Sequence, residues 1–337
     1  MFQDKTILIT GGTGSFGSNF AKFLLANFPL KKLIIFSRDE RKQAAMEKEI
    51  SDERIRFFLG DVRDLPRLER AFHGVDIVVH AAALKQVPML EYNPYEAVKT
   101  NVIGSQNVID AAIDHGVEKA LLISSDKAVQ PVNLYGATKL CAEKLFIDGN
   151  AYSGNHTKFS CVRYGNVLGS RGSIVETLLM NRNAETVFIT HEEMTRFWIT
   201  LGQSFELVMF ALENMVGGEI FVPKIPSMRL TDLFDVMVPQ ANREIIGIRP
   251  GEKIHEALLT ETEARHTAEL GKYFVILPEN DEIFNIRERF AKYLSTGKLL
   301  PHDFSYTSRN NKDWLTKEDL KNLIEKISYD LLRSTMD

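Results

Sequence analysis

The sequence predicts an α/β fold, a doubly wound parallel sheet with a smaller interleaved substrate lobe. Three observations carry this prediction. Short apolar runs rich in β-branched residues alternate with helical patterns through the first half of the chain. These runs are apolar on both faces, as strands covered by helices on both sides must be. A glycine-rich turn follows the first run and opens a helix.

The elements follow in order. KTILIT (5–10) is a buried strand, and SFGSNFAKFLLANF (15–28) sets Phe16, Phe20, Phe23, Leu24 and Phe28 at helical spacing. KLIIF (32–36) is a second strand and RDERKQAAMEKEI (38–50) a charged helix. RIRFFLG (54–60), VDIVVHA (75–81) and KALLISS (119–125) are further strands, with helical patterns at 64–72 and 94–115 between them. Residues 1–165 are therefore expected to form one domain, with about 195–225 returning to it. Glycine and proline punctuation marks 166–260 as mainly a second lobe, and 261–337 as a C-terminal extension. Its last element, TKEDLKNLIEKI (316–327), carries Leu320, Leu323, Ile324 and Ile327 on one face behind a capping Thr316.

Composition narrows the function. The chain has 337 residues, 44% hydrophobic and 26% charged, with a net charge of −4, a balance that disfavours nucleic-acid and membrane-surface partners. The longest apolar stretch, VDIVVHAAAL (75–84), falls well short of the ~20 residues of a membrane helix. Cys141 and Cys161 stand in no Cys/His cluster, so neither a structural zinc nor a disulfide scaffold is expected. MFQDKTILITGG reads as a strand rather than a secretory leader, and the expected compartment is a reducing cytoplasm.

Gly11-x-x-Gly14-x-x-Gly17 lies between a strand and a helix. Gly11 allows the tight turn, Gly14 the approach of a pyrophosphate, and Gly17 close helix–strand packing. The helix N-terminus offers N–H groups to the phosphates. Candidate cofactor contacts here are Gly11, Thr13, Gly14, Ser15, Phe16 and Gly17. The second strand ends at Ser37-Arg38-Asp39, where NAD sites usually place an acid for the ribose. Ser37 is neutral and Arg38 can pair with a 2′-phosphate, so NADP is favoured over NAD. Asp39 is assigned to capping the next helix, and Lys42 joins the cofactor set. Asp61-Val62 is placed to read adenine, and Ala81, Ala82 and Lys85 of HAAALK (80–85) run beneath the cofactor.

SSDKAVQPVNLYGATK (124–139) follows the fifth strand. Tyr135 and Lys139, four apart on a helix, share a face. A phenol titrates near ~10. A neighbouring ammonium and an oxidised nicotinamide favour the phenolate, which can take a sugar hydroxyl proton as hydride leaves.

These motifs resemble the extended short-chain dehydrogenase/reductase family over nearly the whole chain. Read together, SSDKA, NLYGATKL, VRYGNVLGSRGS, MTRFWIT, GGEIFVPKIPSM and IGIRPGEKIHE are similar to its branch of configuration-inverting UDP-N-acetylglucosamine 4,6-dehydratases. One small departure is Ser125, where relatives carry a threonine with the same hydroxyl. The resemblance implies transient C4 oxidation, C5 deprotonation, loss of the C6 hydroxyl as water, and hydride return to C6, as the first step of pseudaminic acid synthesis. It places Asp126 as acid at C6 and Lys127 as base at C5, where retaining relatives have an Asp–Glu pair. Lys127 must then be neutral, and Lys139, the nicotinium ring and desolvation are expected to push its titration down. A proton shared between Asp126 and Lys127 is expected rather than two fixed states.

The resemblance also implies a recycled NADP and a homo-oligomer, dimer or hexamer. A nucleotide sugar carries a diphosphate, which a net-acidic chain must grip with local arginines. Arg171, Arg196 and Arg249 are expected in loops of the second lobe. By resemblance Arg249 meets the diphosphate, Glu252 the ribose, Asn166 the substrate, and Lys85 and Thr100 the nicotinamide and sugar. His80, His191 and His255 have no metal-ligand spacing and read as structural. Two rivals remain: a nucleotide-sugar 4-epimerase, which needs no acid–base pair at 126–127, and a non-catalytic NADP-binding protein, which has no use for Tyr135.

Overall fold

In the computed structural model, which describes residues 2–154, 156–170 and 172–336 with side chains through residue 327, the apolar runs become one ten-stranded sheet. Its first six strands are β1 (Thr6–Thr10), β2 (Lys32–Ser37), β3 (Ile55–Leu59), β4 (Ile77–His80), β5 (Lys119–Ile123) and β6 (Lys158–Val162). Every residue of β1 and β4 is buried, which is why these segments show no polar alternation. The connecting helices are α1 (Ser15–Asn27), α2 (Glu40–Glu49), α3 (Leu65–Phe72), α4 (Val87–Tyr92), α5 (Pro94–Ala97), α6 (Gly104–Asp114) and α7 (Leu134–Asp148). A π-helical stretch, Val98–Ile103, joins α5 to α6.

Beyond β6 the chain alternates between two cores. β7 (Asn166–Val167), α8 (Ile174–Met180), β8 (Thr186–Ile189) and β9 (Thr195–Ile199) build the second lobe, and α9 (Leu201–Asn214) with β10 (Ile220–Pro223) returns to the main sheet. β11 (Ser227–Arg229), α10 (Leu230–Met237) and β12 (Asn242–Ile245) go back to the lobe. β13 (Ala257–Leu259), β14 (Thr267–Leu270), β15 (Tyr273–Ile276), β16 (Lys298–Leu299) and β17 (Tyr306–Thr307) complete the strands.

The main sheet runs β16-β14-β15-β10-β6-β5-β4-β1-β2-β3. The seven strands from β10 to β3 pair in parallel. β15, β14 and β16 extend it antiparallel. Segment 261–300 is thus not an appendage, as the sequence suggests, but the far edge of the main sheet. Phe274, Val275 and Ile276 are buried in the main core and leave no separate extension to form there. β1 lies between β2 and β4, so the connections leaving it diverge and open a crevice at the carboxyl ends of the strands.

The second core gathers Leu168, Val175, Trp198, Met228, Leu233 and Phe234. The C-terminal helix, Lys317–Met336, covers it with Leu320 and Ile324, while Leu323 and Ile327 pack alongside. Thr316 starts this helix: its hydroxyl accepts from Asp319 N at 3.1 Å, and the Asp319 carboxylate accepts from Thr316 N at 2.9 Å. Among the described residues, no helix is long and apolar enough to cross a membrane.

Where α1 meets α9, the rings of Phe16, Phe20 and Phe23 surround Phe205 at centroid distances of 5.7, 5.4 and 5.3 Å. Phe20 is fully buried between the sheet and α9. Phe20→Ala should cost about 3–5 kcal/mol in urea unfolding, the range for a truncated core phenylalanine.

Candidate functional site

Along the carboxyl ends of the strands runs a cleft of about 710 Å³. One end is built by the turn after β1. Gly11 has φ +64°, and a Cβ on it would lie 2.8 Å from Ala82 of the turn after β4, so no side chain fits between the two turns. Gly14 is the N-cap of α1 and has no side chain to occupy the helix's first N–H groups, which are left for a ligand anion. Thr13, Ser15, Phe16 and Gly17 line the same wall.

Beside it lie Ser37, Arg38, Asp39, Lys42, Asp61 and Val62. Asp39 is the N-cap of α2: its carboxylate accepts from Lys42 N at 3.0 Å and pairs with Lys42 Nζ at 3.1 Å. Ser37 is held by Gln43 at 3.1 Å. Arg38 is half exposed, with Asp61 3.7 Å away. Asp61 itself is taken up by Arg63, through the backbone N–H at 3.0 Å and the guanidinium at 2.7 Å. That contact outweighs burial and holds its carboxyl below the usual range.

The other end of the cleft holds Ser124, Ser125, Asp126, Lys127, Tyr135, Lys139, Tyr164 and Asn166. Asn133 begins α7, accepting from Gly136 N at 2.8 Å, and so delivers Tyr135 and Lys139 one turn apart. Asn101, on the π-helical stretch, braces this end. Its amide donates to Thr138 Oγ1 at 3.0 Å and Leu84 O at 2.9 Å, and its carbonyl accepts from Leu84 N at 2.8 Å. One side chain therefore ties α7 to the loop carrying Ala81, Ala82 and Lys85.

The electrostatics differ from the expectation at two points. Lys127 Nζ lies 3.0 Å from Asp126 Oδ2 and 2.9 Å from Glu256 Oε1. Burial works against its charge, but the two carboxylates win, and its titration is raised rather than lowered. The sequence reading accounts for Asp126 but not for Glu256, which approaches from the far side of the chain. Asp126 is raised, mainly by burial and further by Glu256, although Lys127 and Ser125 oppose the shift. Glu256 is lowered despite burial, because Lys127, Arg196 and Lys253 face it.

The second difference concerns Tyr135. Burial pushes its phenol up to about 12, and the cation that pulls it back is Lys127, helped by a hydrogen bond with Ser125. Lys139 instead donates to Ile123 O at 2.7 Å, and burial draws it down to about 8. Burial, and then the nearby Tyr135 phenol, push the Tyr164 phenol well above its usual range.

Three buried polar atoms in the cleft wall have no hydrogen-bond partner among the described residues: Thr100 Oγ1, Ser124 Oγ and Asn166 Oδ1. A polar ligand is what such orphans require. Together with the glycine turn they fit a dinucleotide and a sugar lying end to end.

The substrate arginines are placed differently. Arg196 is not in a loop but in β9, buried, donating to Thr195 O at 2.8 Å and Ile254 O at 3.1 Å. Its charge is committed inside the protein because the backbone of β9 and Glu256 surround it. Arg249 lies on an exposed loop and Glu252 folds back on that turn, accepting from Arg249 N at 3.4 Å; neither lines the cleft. Arg171 lies outside the described residues. His80 bonds Thr10 at 2.6 Å and Ser105 at 3.1 Å, and burial pulls it down to about 3, so it is a neutral core residue. His255 bonds Thr195 at 2.9 Å. Among the described residues no group of three or more His, Cys, Asp or Glu side chains could hold a metal ion.

Sequence reasoning passes over Asn101, Ser124, Tyr164 and Glu256. Ser124, Tyr164 and Glu256 lie in the segments SSDKA, VRYGNVLGSRGS and IGIRPGEKIHE that carry the resemblance, but no spacing within those segments assigns them a role, and tertiary contact brings them together.

Fold and cleft together define an α/β protein of the extended short-chain dehydrogenase/reductase class. More narrowly, the chain belongs to the polysaccharide biosynthesis protein family, whose profile matches residues 7–278. It is 47% identical over 332 residues to the inverting UDP-N-acetylglucosamine 4,6-dehydratase of Campylobacter jejuni, covering 96% of this chain and 98% of that one. It is 40% identical to a Rickettsia canadensis protein named UDP-glucose 4-epimerase, covering 98% of each. The solved structure of Pen from Bacillus thuringiensis superposes with a TM-score of 0.87 at 37% identity, covering 97% of this chain and 98% of that one.

Gly136 is where α7 touches the turn that carries Asp126 and Lys127: a Cβ there would lie 2.2 Å from Lys127 O. Gly136→Ala should therefore cost about 1–3 kcal/mol by overpacking and speed amide exchange at Ala128 and Val129. Gly202→Ala, where nothing lies within 4 Å, should do neither.

Proposed function

We propose that this chain removes water from UDP-N-acetylglucosamine, giving UDP-2-acetamido-2,6-dideoxy-β-L-arabino-hex-4-ulose, with NADP as the resident cofactor. The observation that carries the reading is the pair of buried Asp126 and partly buried Lys127 beside Tyr135 in the cleft wall. The 47% identity to the inverting dehydratase of C. jejuni supports it. By the same resemblance the protein is a cytoplasmic homo-oligomer that performs the first step of pseudaminic acid synthesis.

The glycine turn and the first turn of α1 would hold the pyrophosphate, Arg38 the 2′-phosphate, and Lys139 the nicotinamide-side ribose. Bound there, the dinucleotide supplies the hydride acceptor and donor and, when oxidised, a positive charge that favours the Tyr135 phenolate. Tyr135, bonded to Ser125, takes the proton of the C4 hydroxyl as that carbon becomes a ketone. The ketone acidifies C5–H. Within the pair, a proton moving from Lys127 Nζ to Asp126 leaves a neutral amine beside a neutral acid, and burial favours this neutral form. The amine then takes the C5 proton, and the acid protonates the C6 hydroxyl, which departs as water. Both steps together restore the ion pair. After hydride return to C6, a water held by the Lys127 ammonium and reaching the opposite face would deliver a proton to C5 and invert it.

Arg249 and Glu252 remain our candidates for the uridine diphosphate. Thr100, Asn166 and Lys85 face the sugar. The name of the R. canadensis relative favours the second reading, 4-epimerisation, which would use Tyr135 and Lys139 but leave Asp126 and Lys127 without a task.

Incubation of the purified protein with UDP-N-acetylglucosamine in heavy water separates the two by mass and proton NMR. A product lighter by one water, with a 4-keto group and deuterium at C5, is expected; an isomer of equal mass would establish the epimerase instead. Lys127→Ala should keep NADP and UDP binding while slowing C5 deuterium uptake about 10²–10⁴-fold, the span for a lost general base. Uptake at the original rate would move the base elsewhere. Arg38→Asp should weaken NADP about 10–100-fold, as expected for one lost charged hydrogen bond, and turn preference toward NAD in a binding titration.

A further inference from the structure

The segment 249–256 is fastened to the catalytic turn at three points. Asn133 Nδ2 donates to Gly251 O at 2.8 Å, Lys253 Nζ donates to Val129 O at 2.5 Å, and Glu256 Oε1 meets Lys127 Nζ at 2.9 Å. The third contact is the unusual one. Glu256 is 1% exposed and does not line the cleft, so it does not touch a ligand there. Its backbone is pinned on both sides: its N–H donates to Ser308 Oγ at 2.9 Å, and its carbonyl accepts from Ser308 N at 2.8 Å. Ser308 is bonded in turn to Thr195 at 2.6 Å. A carboxylate held this firmly, in a place this dry, needs a reason to be ionised.

Its surroundings supply one. Lys127 lies at 2.9 Å, Lys253 at 3.4 Å and Arg196 at 3.8 Å. Lys253 and Arg196 are both anchored to backbone carbonyls, Lys253 on Val129 and Arg196 on Thr195 and Ile254. Lys127 is the member of the three that also lines the cleft. Two fixed cations thus keep Glu256 charged, and Glu256 in turn grips the one cation that faces substrate.

We propose that Glu256 is a positioning residue for the dehydration chemistry: it fixes Lys127 Nζ against Asp126 and keeps that amine protonated between turnovers. The inference rests on the role given to Lys127 above and adds a second carboxylate with a different task. Asp126 exchanges a proton with Lys127; Glu256 stays an anion and sets how readily that proton leaves. If Glu256 were absent, Lys127 would face Asp126 alone, with the Arg196 charge nearby and no second anion to balance it. The groups that face Lys127 are Asp126 from its own turn, Glu256 and Arg196 from the second lobe, and Tyr135 from α7. Only Glu256 among them is a carboxylate from outside the catalytic turn.

The sign follows. A carboxylate beside an ammonium holds its proton on, so Glu256→Gln, which keeps the shape and removes the charge, lets Lys127 lose its proton at lower pH. Two readouts test this. The first needs no turnover: the pH dependence of Lys127 labelling by a small amine reagent, measured by peptide mass, should move to lower pH in Glu256→Gln. The second is turnover of UDP-N-acetylglucosamine. There kcat should fall about 10²-fold, as for a misplaced reacting group, the alkaline limb should move to lower pH, and KM should stay within twofold. Glu256→Asp restores the charge at a shorter reach. Its labelling profile should match the wild type while kcat stays reduced, and it carries the test if the glutamine variant does not fold. Unchanged labelling and kcat in Glu256→Gln, or a profile that moves equally in both variants, would overturn the proposal. Failure of the wild type to release water would instead overturn the dehydratase reading, with the labelling result still deciding the role of Glu256.

Discussion

An ammonium shared by two buried carboxylates sets the electrostatics at one end of the cleft. Lys127 sits between Asp126 and Glu256 at about the same distance from each, in a place where water screens little. Burial works against the charge of all three groups; two carboxylates hold the proton on Lys127, while Lys127, Arg196 and Lys253 hold Glu256 ionised and Asp126 is left raised. The same cluster reaches Tyr135, whose phenol burial pushes up and Lys127 pulls down. In the proposed reaction, one network rather than independent residues would set the proton positions at C4, C5 and C6 of the sugar.

The fold serves that network by bringing distant segments to one end of a sheet. The connections that leave β1 and β4 diverge and open the crevice. β5 ends in Ser124, Ser125, Asp126 and Lys127, and α7 lays Tyr135 and Lys139 across them. Asn101 then ties α7 to the loop after β4. The second lobe adds Asn166 from β7 and Glu256 from the strand of chain before β13. A cleft assembled in this way can place a dinucleotide over the sheet and a sugar against the lobe, and its three orphaned polar atoms face that space.

Much of this was legible in local pattern. The buried strands, the glycine turn and the Tyr135–Lys139 spacing each follow from short-range rules, because apolar runs, φ constraints and helical periodicity act over a few residues. Asp39 illustrates the success: a cap is a three-residue contact, and it is found capping α2. Arg196 and the segment 261–300 illustrate the limit. Arg196 looks like a loop arginine until β11 pairs with β9 and buries it, and 261–300 looks like an extension until β15 pairs with β10. Both depend on which strand finds which partner, and pairing partners are separated by tens of residues.

The sequence by itself determined the parallel α/β architecture, the phosphate-binding turn, and which short segments carry hydroxyl, phenol, carboxyl and amine groups. Those properties reside in local stereochemistry and in the chemical nature of the side chains. Tertiary structure alone decided the charge on Lys127, the isolation of Arg196 from the cleft, and the presence of Glu256 beside Lys127. A titration depends on every charge within a few ångströms and on the exclusion of water. Neither exists until residues 127, 196 and 256 are folded into the same small volume.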